Sequence, residues 1–324
     1  MLVFDDIHWG EATFLDLIEH LADWTRDAPI LLVCLARSEL LDVRQGWGGG
    51  KLNATSTLLE PLSEEESAKL VVNLAGEALE ESTRRRIVGA AEGNPFFVEE
   101  MLALVLEDGR GAELEVPPTI QALLAARLDR LSDEERTVIE AASVEGKVFH
   151  DGSVVVRVPE ALRPSVREHL MALVRKELIR PERPLFAGER AFRFRHLLIR
   201  DAAYESIPKE ARAAFHERYA AWLERAAAER LPEYGEIIGY HLEQTFRYRA
   251  EFGPVRDADR AVARRAAEWL GAAGRRAFVR ADAPAAVNLL SRAVSLLPPD
   301  DPARIDLVPT VRVAQGLGVD LGWR

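Results

Sequence analysis

Residues 2–10, LVFDDIHWG, run three apolar side chains directly into two adjacent aspartates. An apolar run without polar alternation is the pattern of a strand buried on both faces of a parallel sheet. The next stretch, residues 11–24, carries Phe14, Leu15, Leu17, Ile18, Leu21 and Ala22 at spacings of three and four, which is an amphipathic helix. APILLVCLAR, residues 28–37, is then a second buried strand ending in Arg37. Strand, helix, strand in this order implies a parallel pair joined by a right-handed crossover. That topology brings Asp5, Asp6 and Arg37 to one sheet edge, where open α/β sheets gather their ligands. One carboxylate there can hold Mg²⁺, a neighbour can polarise a water, and a cation can offset phosphate charge. Without a ligand the same residues are an Asp-rich turn beside a surface ion pair of little energetic weight.

A chain of 324 residues is long enough for two or three domains. Cys34 is the only cysteine, which excludes an intrachain disulfide and fits a reducing, cytoplasmic setting. No stretch of 18 apolar residues is present, so no membrane span is expected, and no basic segment precedes the first apolar residues. A net charge of -11 argues against the chain as a whole coating nucleic acid.

Further along, Leu58 and Leu59 read as one more short strand. Pro61 and Ser63 then open a helix, with Glu66 completing a capping-box pattern. Helices over roughly 79–92 and 95–107 flank EGNPFFVEEM, in which Gly93 suits a left-handed cap and Pro95 a first helical turn. Pro117 and Pro118 mark a boundary before two helices with apolar stripes, and a third helix covers about 163–176. LIRPE and RAFRFRH close this region as two strands, a winged-helix pattern. Arg190, Arg193, Arg195 and Arg200 are either a basic face for phosphates or a solvated edge guarding exposed strands, and the acidic chain favours the second. Residues 205–324 read as nearly continuous helix. Gly274, Ala277, Ala286, Leu290, Ala293 and Pro298 follow a tetratricopeptide-like spacing, enough for one repeat and part of another. Such repeats offer concave surfaces to protein partners, and the alternative is a plain helical hairpin.

These stretches resemble one family. LVFDDIHW resembles the Walker B strand of STAND-type AAA-related ATPases, the multidomain ATPases linked to bacterial LuxR-type regulators and to adenylate and guanylate cyclases. ILLVCLARSE resembles the strand that follows, whose polar end senses the γ-phosphate. GNPFFVEE resembles the family's G-x-P motif. Residues 194–224 are also similar, with His196, Tyr204, Arg212 and His216 at recurring positions. The resemblance implies an α/β remnant of a P-loop NTPase sheet over 1–60, followed by a mostly α chain. That chain would comprise a helical lid over 61–112, a winged-helix-like module over 113–204 and TPR-like helices over 205–324. It implies ATP and Mg²⁺ as cofactors. Asp5 and Asp6 would be the catalytic pair, with Asp5 on the metal and Asp6 positioning water. Arg37, Gly93 and Pro95 would line the nucleotide. The implied role is coupling of nucleotide state to an effector such as a transcription-regulator or cyclase domain. Nucleic-acid contact would fall to another domain. Two alternatives stay open: a helical interaction scaffold with a vestigial ATPase core, and a DNA-binding winged-helix regulator.

The family also requires G-x-x-x-x-G-K-[ST], whose backbone N–H groups cradle the phosphates. QGWGGGKLNATS, residues 45–56, does not supply it. Gln45 stands where the first Gly belongs, Leu52 stands where Ser or Thr belongs, and no strand feeds the loop. The chain is therefore expected to be the C-terminal part of a larger ATPase lacking its Walker A segment, and inactive alone.

Overall fold

A computed structural model describes residues 1–25, 28–51, 53–76, 79–108 and 119–320. The chain divides into two compact units, Met1–Glu60 and Pro61–Arg324. No helix among the described residues is long and apolar enough to cross a membrane. The expected boundary at Pro117 and Pro118 lies outside the described residues.

In the first unit, β1 (Leu2–Phe4) leads through a single 3-10 turn into α1 (Ala12–Trp24), β2 (Leu32–Cys34) and α2 (Glu39–Val43). β1 and β2 pair in parallel, with Leu2, Val3 and Phe4 opposite Leu32, Val33 and Cys34. The pair has one closed face. Ile7, Leu15, Ile18 and Leu40 form a small core, with Phe4, Cys34 and Trp47 packed on it. Two expectations are corrected here. β1 is not buried on both faces, since Leu2 and Val3 are 46% and 51% exposed. A strand with one neighbour and one covered face cannot hide alternate side chains. Leu58 and Leu59 form no strand and are 79% and 84% exposed.

The second unit begins with α3 (Glu64–Ala75), α4 (Glu81–Ala91) and α5 (Pro95–Asp108). Ser63 caps α3 with Glu66 returning the bond, as the spacing predicts. Val71, Ile87, Phe97, Val98, Met101 and Leu104 close the core of these three helices. Next come α6 (Ile120–Asp129), α7 (Asp133–Ser143), β3 (Val148–His150), α8 (Asp151–Arg157), α9 (Val166–Arg175), β4 (Ile179–Glu182) and β5 (Ala191–Phe194). The expected hairpin is joined by a third strand, in the antiparallel order β3-β5-β4. Three residues of β3 carry too short an alternation to register in the sequence. Phe149, Phe192 and Phe194 place their rings 5.2–5.9 Å apart over a core that includes Val138, Ile139, Leu170 and Leu173.

α10 (Leu197–Ser206) leads into α11 (Lys209–Ala226), α12 (Leu231–Glu251), α13 (Asp257–Val279), α14 (Ala283–Ser295) and α15 (Pro302–Asp320). From α12 onward each helix packs on the one before it. Small residues set how closely they approach. Ala277, Ala286, Leu290 and Ala293 are all buried. A Cβ on Gly274 would lie 2.7 Å from Leu290 Cγ, and one on Gly239 would lie 2.8 Å from Leu270 Cγ. Small residues thus set close seams between these last helices, beside larger buried side chains such as Trp222 and Leu270.

Gly274→Ala and Gly89→Ala test this seam by opposite signs. Both residues sit inside helices, where Ala is worth about 1 kcal/mol over Gly. Gly89 faces open space, so its substitution stabilises by up to about that amount. At Gly274 overpacking costs about 1–3 kcal/mol and outweighs the propensity gain. Urea midpoints of the two variants should therefore move to opposite sides of the parent chain.

Candidate functional site

Register decides what meets at the end of the first sheet. Phe4 faces Cys34, Leu35 donates its N–H to Phe4 O at 2.8 Å, and Ile7 donates to Leu35 O at 3.0 Å. Asp5 and Asp6 therefore leave β1 at the edge where Arg37 leaves β2. Asp6 has a φ of 57°, a left-handed conformation that Asp tolerates better than most residues. Asp5 and Arg37 are exposed and Asp6 is half-buried. His8 adds a link that spacing could not show, since its only legible role was packing. Its Nδ1 accepts the Arg37 backbone N–H at 3.4 Å, which ties the aspartate turn to the end of β2. The ring proton then sits on Nε2, which is buried and has no hydrogen-bond partner.

The carboxylates suit an oxygen-liking cation, but the surroundings do not suit a nucleotide's phosphates. Among the described residues no group of three or more His, Cys, Asp or Glu side chains is placed to hold a metal ion. The glycine-rich loop offers no substitute cradle. It follows α2 rather than a strand, and Lys51 is committed to Asp23 at 2.7 Å. No chemical step through ATP or Mg²⁺ is derived from this unit by itself.

In the second unit, Gly93, Asn94 and Pro95 turn the chain from α4 into α5. Gly93 has a φ of 78°, and a Cβ there would lie 2.4 Å from Leu62 O. Its carbonyl accepts the Leu62 N–H at 2.8 Å, so only glycine fits this close approach. Asn94 Oδ1 accepts the Phe96 and Phe97 N–H groups at 3.0 and 3.3 Å and so caps α5. Pro95 occupies the first helical position and is exposed. Behind the turn, Glu100 and Arg127 form a buried ion pair between α5 and α6. Arg127 also donates to Lys176 O at 2.8 Å. Burial raises the Glu100 pKa, and Arg127 opposes the rise.

The four arginines considered for a basic face each have a carboxylate within 4 Å. Arg190 meets Asp151 at 2.7 Å, Arg193 meets Glu182 at 3.6 Å, Arg195 meets Glu177 at 3.1 Å and Arg200 meets Asp201 at 2.9 Å.

A polar network lies where α10 meets the last helices. Tyr204 and Tyr248 hydroxyls are 2.9 Å apart, Tyr204 Oη is 2.9 Å from His216 Nε2, and His216 Nδ1 is 2.7 Å from His241 Nδ1. The chain is satisfied by protons running in one sense from Tyr248 through Tyr204 and His216 to His241, or in the reverse sense. Burial pushes His216 down to about 3, with the Arg157, Arg200 and Arg212 cations adding to the effect. It also pushes His241 well below its usual range, and His216 and two of the same cations act in the same direction. Both rings are therefore neutral core groups near pH 7. His241 carried no signal in the sequence, because its partner stands 25 residues away.

No family model matches this chain. An uncharacterised protein of Rhizobium meliloti (strain 1021) is 26% identical over 268 residues. The match covers 74% of this chain and 24% of that protein, so the chain spans about a quarter of its curated relative. Among solved structures, the chain is similar to a Signal Transduction ATPase with Numerous Domains (STAND) protein with a tetratricopeptide repeat sensor, from Pyrococcus horikoshii. The likeness has a TM-score of 0.55 at 17% identity and covers 97% of this chain and 41% of that one. The fold is thus STAND-like.

Two measurements check these contacts. Glu100→Ala or Arg127→Ala leaves one buried charge unpaired and should cost about 3–5 kcal/mol, while the double variant Glu100→Leu, Arg127→Leu should cost far less. The second concerns pH. Folded-state values of His216 and His241 lie below the unfolded value near 6.5, so their contribution is complete above that pH. For His216 it is lost as the unfolded chain takes up protons between pH 6.5 and about 3, at about 1.4 kcal/mol per pH unit, and His241 acts in the same direction. Urea midpoints should fall with pH more steeply in the parent than in a His216→Gln, His241→Gln variant.

Proposed function

We propose that this chain is the regulatory portion of an ATP-dependent signalling ATPase of the STAND type. Residues 1–60 are the Walker B side of its P-loop sheet, 61–112 its helical lid, 113–204 a winged-helix-like joint and 205–324 a TPR-like region for protein partners. With a phosphate cradle supplied, Asp5 would hold the Mg²⁺ and Asp6 would orient the attacking water, with Arg37 at the sensor position. Gly93 and Pro95 are the G-x-P positions to which the family resemblance gives a nucleotide role. The effector controlled is a transcription-regulator or cyclase type of domain, and the setting is cytoplasmic.

The observation that carries this reading is the order of elements along one chain. A parallel strand pair sets Asp5, Asp6 and Arg37 at one edge. Three helices turn on Gly-Asn-Pro, and a helix–strand–helix–helix–hairpin module and a helical stack follow. The similarity to the Pyrococcus horikoshii protein runs through nearly all of it. A winged-helix-like joint that grips DNA is disfavoured, because Arg190, Arg193 and Arg195 each have a carboxylate beside them. The scaffold reading draws support from Lys51, which is held by Asp23 away from any phosphate role.

In a phosphate-release assay with Mg-ATP, the purified 324-residue chain should match its Asp5→Asn, Asp6→Asn variant at background. Positioning by a phosphate loop is most of the catalysis in such enzymes. Joined to a phosphate-binding loop encoded in frame with it, the chain should turn ATP over, and the double substitution should lower that rate by about a hundredfold or more. Turnover that survives loss of both carboxylates would sink the site assignment. Partner binding by the tail that ignores Mg-ATP in the joined protein would favour the scaffold.

A further inference from the structure

α10 is a short helix with a ring contact at each end. At its N-cap, the His196 ring lies 3.9 Å, centroid to centroid, from Phe96, the residue after Pro95. Glu99, one turn further along α5, lies 3.8 Å from both His196 Nε2 and Arg195 Nη2. Near its C-terminal end, Tyr204 bonds His216 of α11 and Tyr248 of α12. His216 in turn bonds His241 of α12. Eight residues separate His196 from Tyr204, a helical rise of about 12 Å.

The helix between these contacts is braced. Ile199 and Ala203 are buried. Arg200 donates to Ser143 O at 2.7 Å, and Ser206 donates to Glu140 at 2.9 Å, so both sit against α7. Arg200 and Arg212 lie over the Tyr204 ring at 4.9 and 4.7 Å, which fixes the ring between two cations. At the far side, Thr245 of α12 donates to Ala213 O of α11 at 3.3 Å. α10 and the face of α7 to which it is bonded therefore shift together, and Tyr204 with them. The polar chain beyond it cannot absorb the movement without leaving a buried donor or acceptor unpaired.

We propose that α10 is a connecting rod that couples the Gly93-Asn94-Pro95 turn to the α11–α12 helix pair, engaging the turn through Phe96 and His196 and the pair through Tyr204, His216 and His241. The coupling is a property of the second unit and holds whether or not the turn ever meets a nucleotide.

Hydrogen exchange on the full 324-residue chain tests it. Phe96→Leu removes the ring contact and keeps an apolar side chain. Exchange should rise in α10 and around His216 and His241 by roughly 3- to 10-fold, the range expected for coupling through a contiguous network. Amides of α13 and α14 should not change. In a Tyr204→Phe background, the same substitution should no longer reach α11 and α12. Phe97→Leu is the control, because Phe97 faces the core of α3, α4 and α5. A rise confined to α5 and α10 overturns the proposal. So does an equal rise in α11 and α12 from Phe97→Leu, or one that persists in the Tyr204→Phe background. If Phe96→Leu unfolds the chain, His196→Asn removes the same contact from the other side while keeping an N-cap, and carries the same expectations.

Discussion

Desolvation of charged and polar groups at the helix seams is the constraint on which the second unit depends. Glu145 is the clearest case. Its carboxylate accepts the Ser153 hydroxyl and the His150 N–H at 3.2 Å, contacts His150 Nδ1 at 2.7 Å and faces Arg157 Nη2 at 3.5 Å. Arg157 is wholly buried, stacks 4.9 Å from the Tyr219 ring of α11, and keeps Nε and Nη1 without partners. Burial drives its pKa down, and Glu145 pushes it back. A charge in that position tolerates only one arrangement of its neighbours, because a single lost partner leaves an uncompensated ion in an apolar medium. The same logic repeats along the stack. Glu243 joins α12 to Arg292 of α14 at 2.6 Å, and Asp301 holds Arg264 of α13 at 2.6 Å. Hydrophobic burial supplies the bulk of the stability, and these polar contacts fix which helix meets which.

The first unit is built differently. Four buried apolar residues and a two-stranded sheet are a small core for sixty residues, and small cores are marginal. Its order comes from local ties instead. Arg44 bonds Asp16 at 2.7 Å and the Ala12 carbonyl at 3.0 Å, and Lys51 bonds Asp23. His8 then locks the aspartate turn to β2. The unit presents its carboxylates from a short, well-registered strand end while most of its β surface stays uncovered. That arrangement explains how Asp5, Asp6 and Arg37 share an edge without composing a reactive centre by themselves.

Features that depend on neighbours within a few residues were legible in the order of the amino acids. The parallel pair followed from strand, helix and strand in succession. The Ser63–Glu66 box and the glycine cap at Gly93 followed from local backbone chemistry, and the close-packed tail followed from its small residues. Features that depend on contacts between distant segments emerged on folding alone. β3 joined the hairpin because Phe149 found Phe192 and Phe194, more than forty residues on. Leu58 and Leu59 have strand-like side chains but no strand beside them, and a strand without a neighbour leaves its backbone groups unpaired. Glu100 and Arg127 stand 27 residues apart and become a buried pair only where α5 and α6 close over them. His241 became part of a hydrogen-bonded pair only when α12 folded back on α11. The physical reason is common to all of these: a periodicity records which face of a segment is buried, while the identity of what buries it is set by packing.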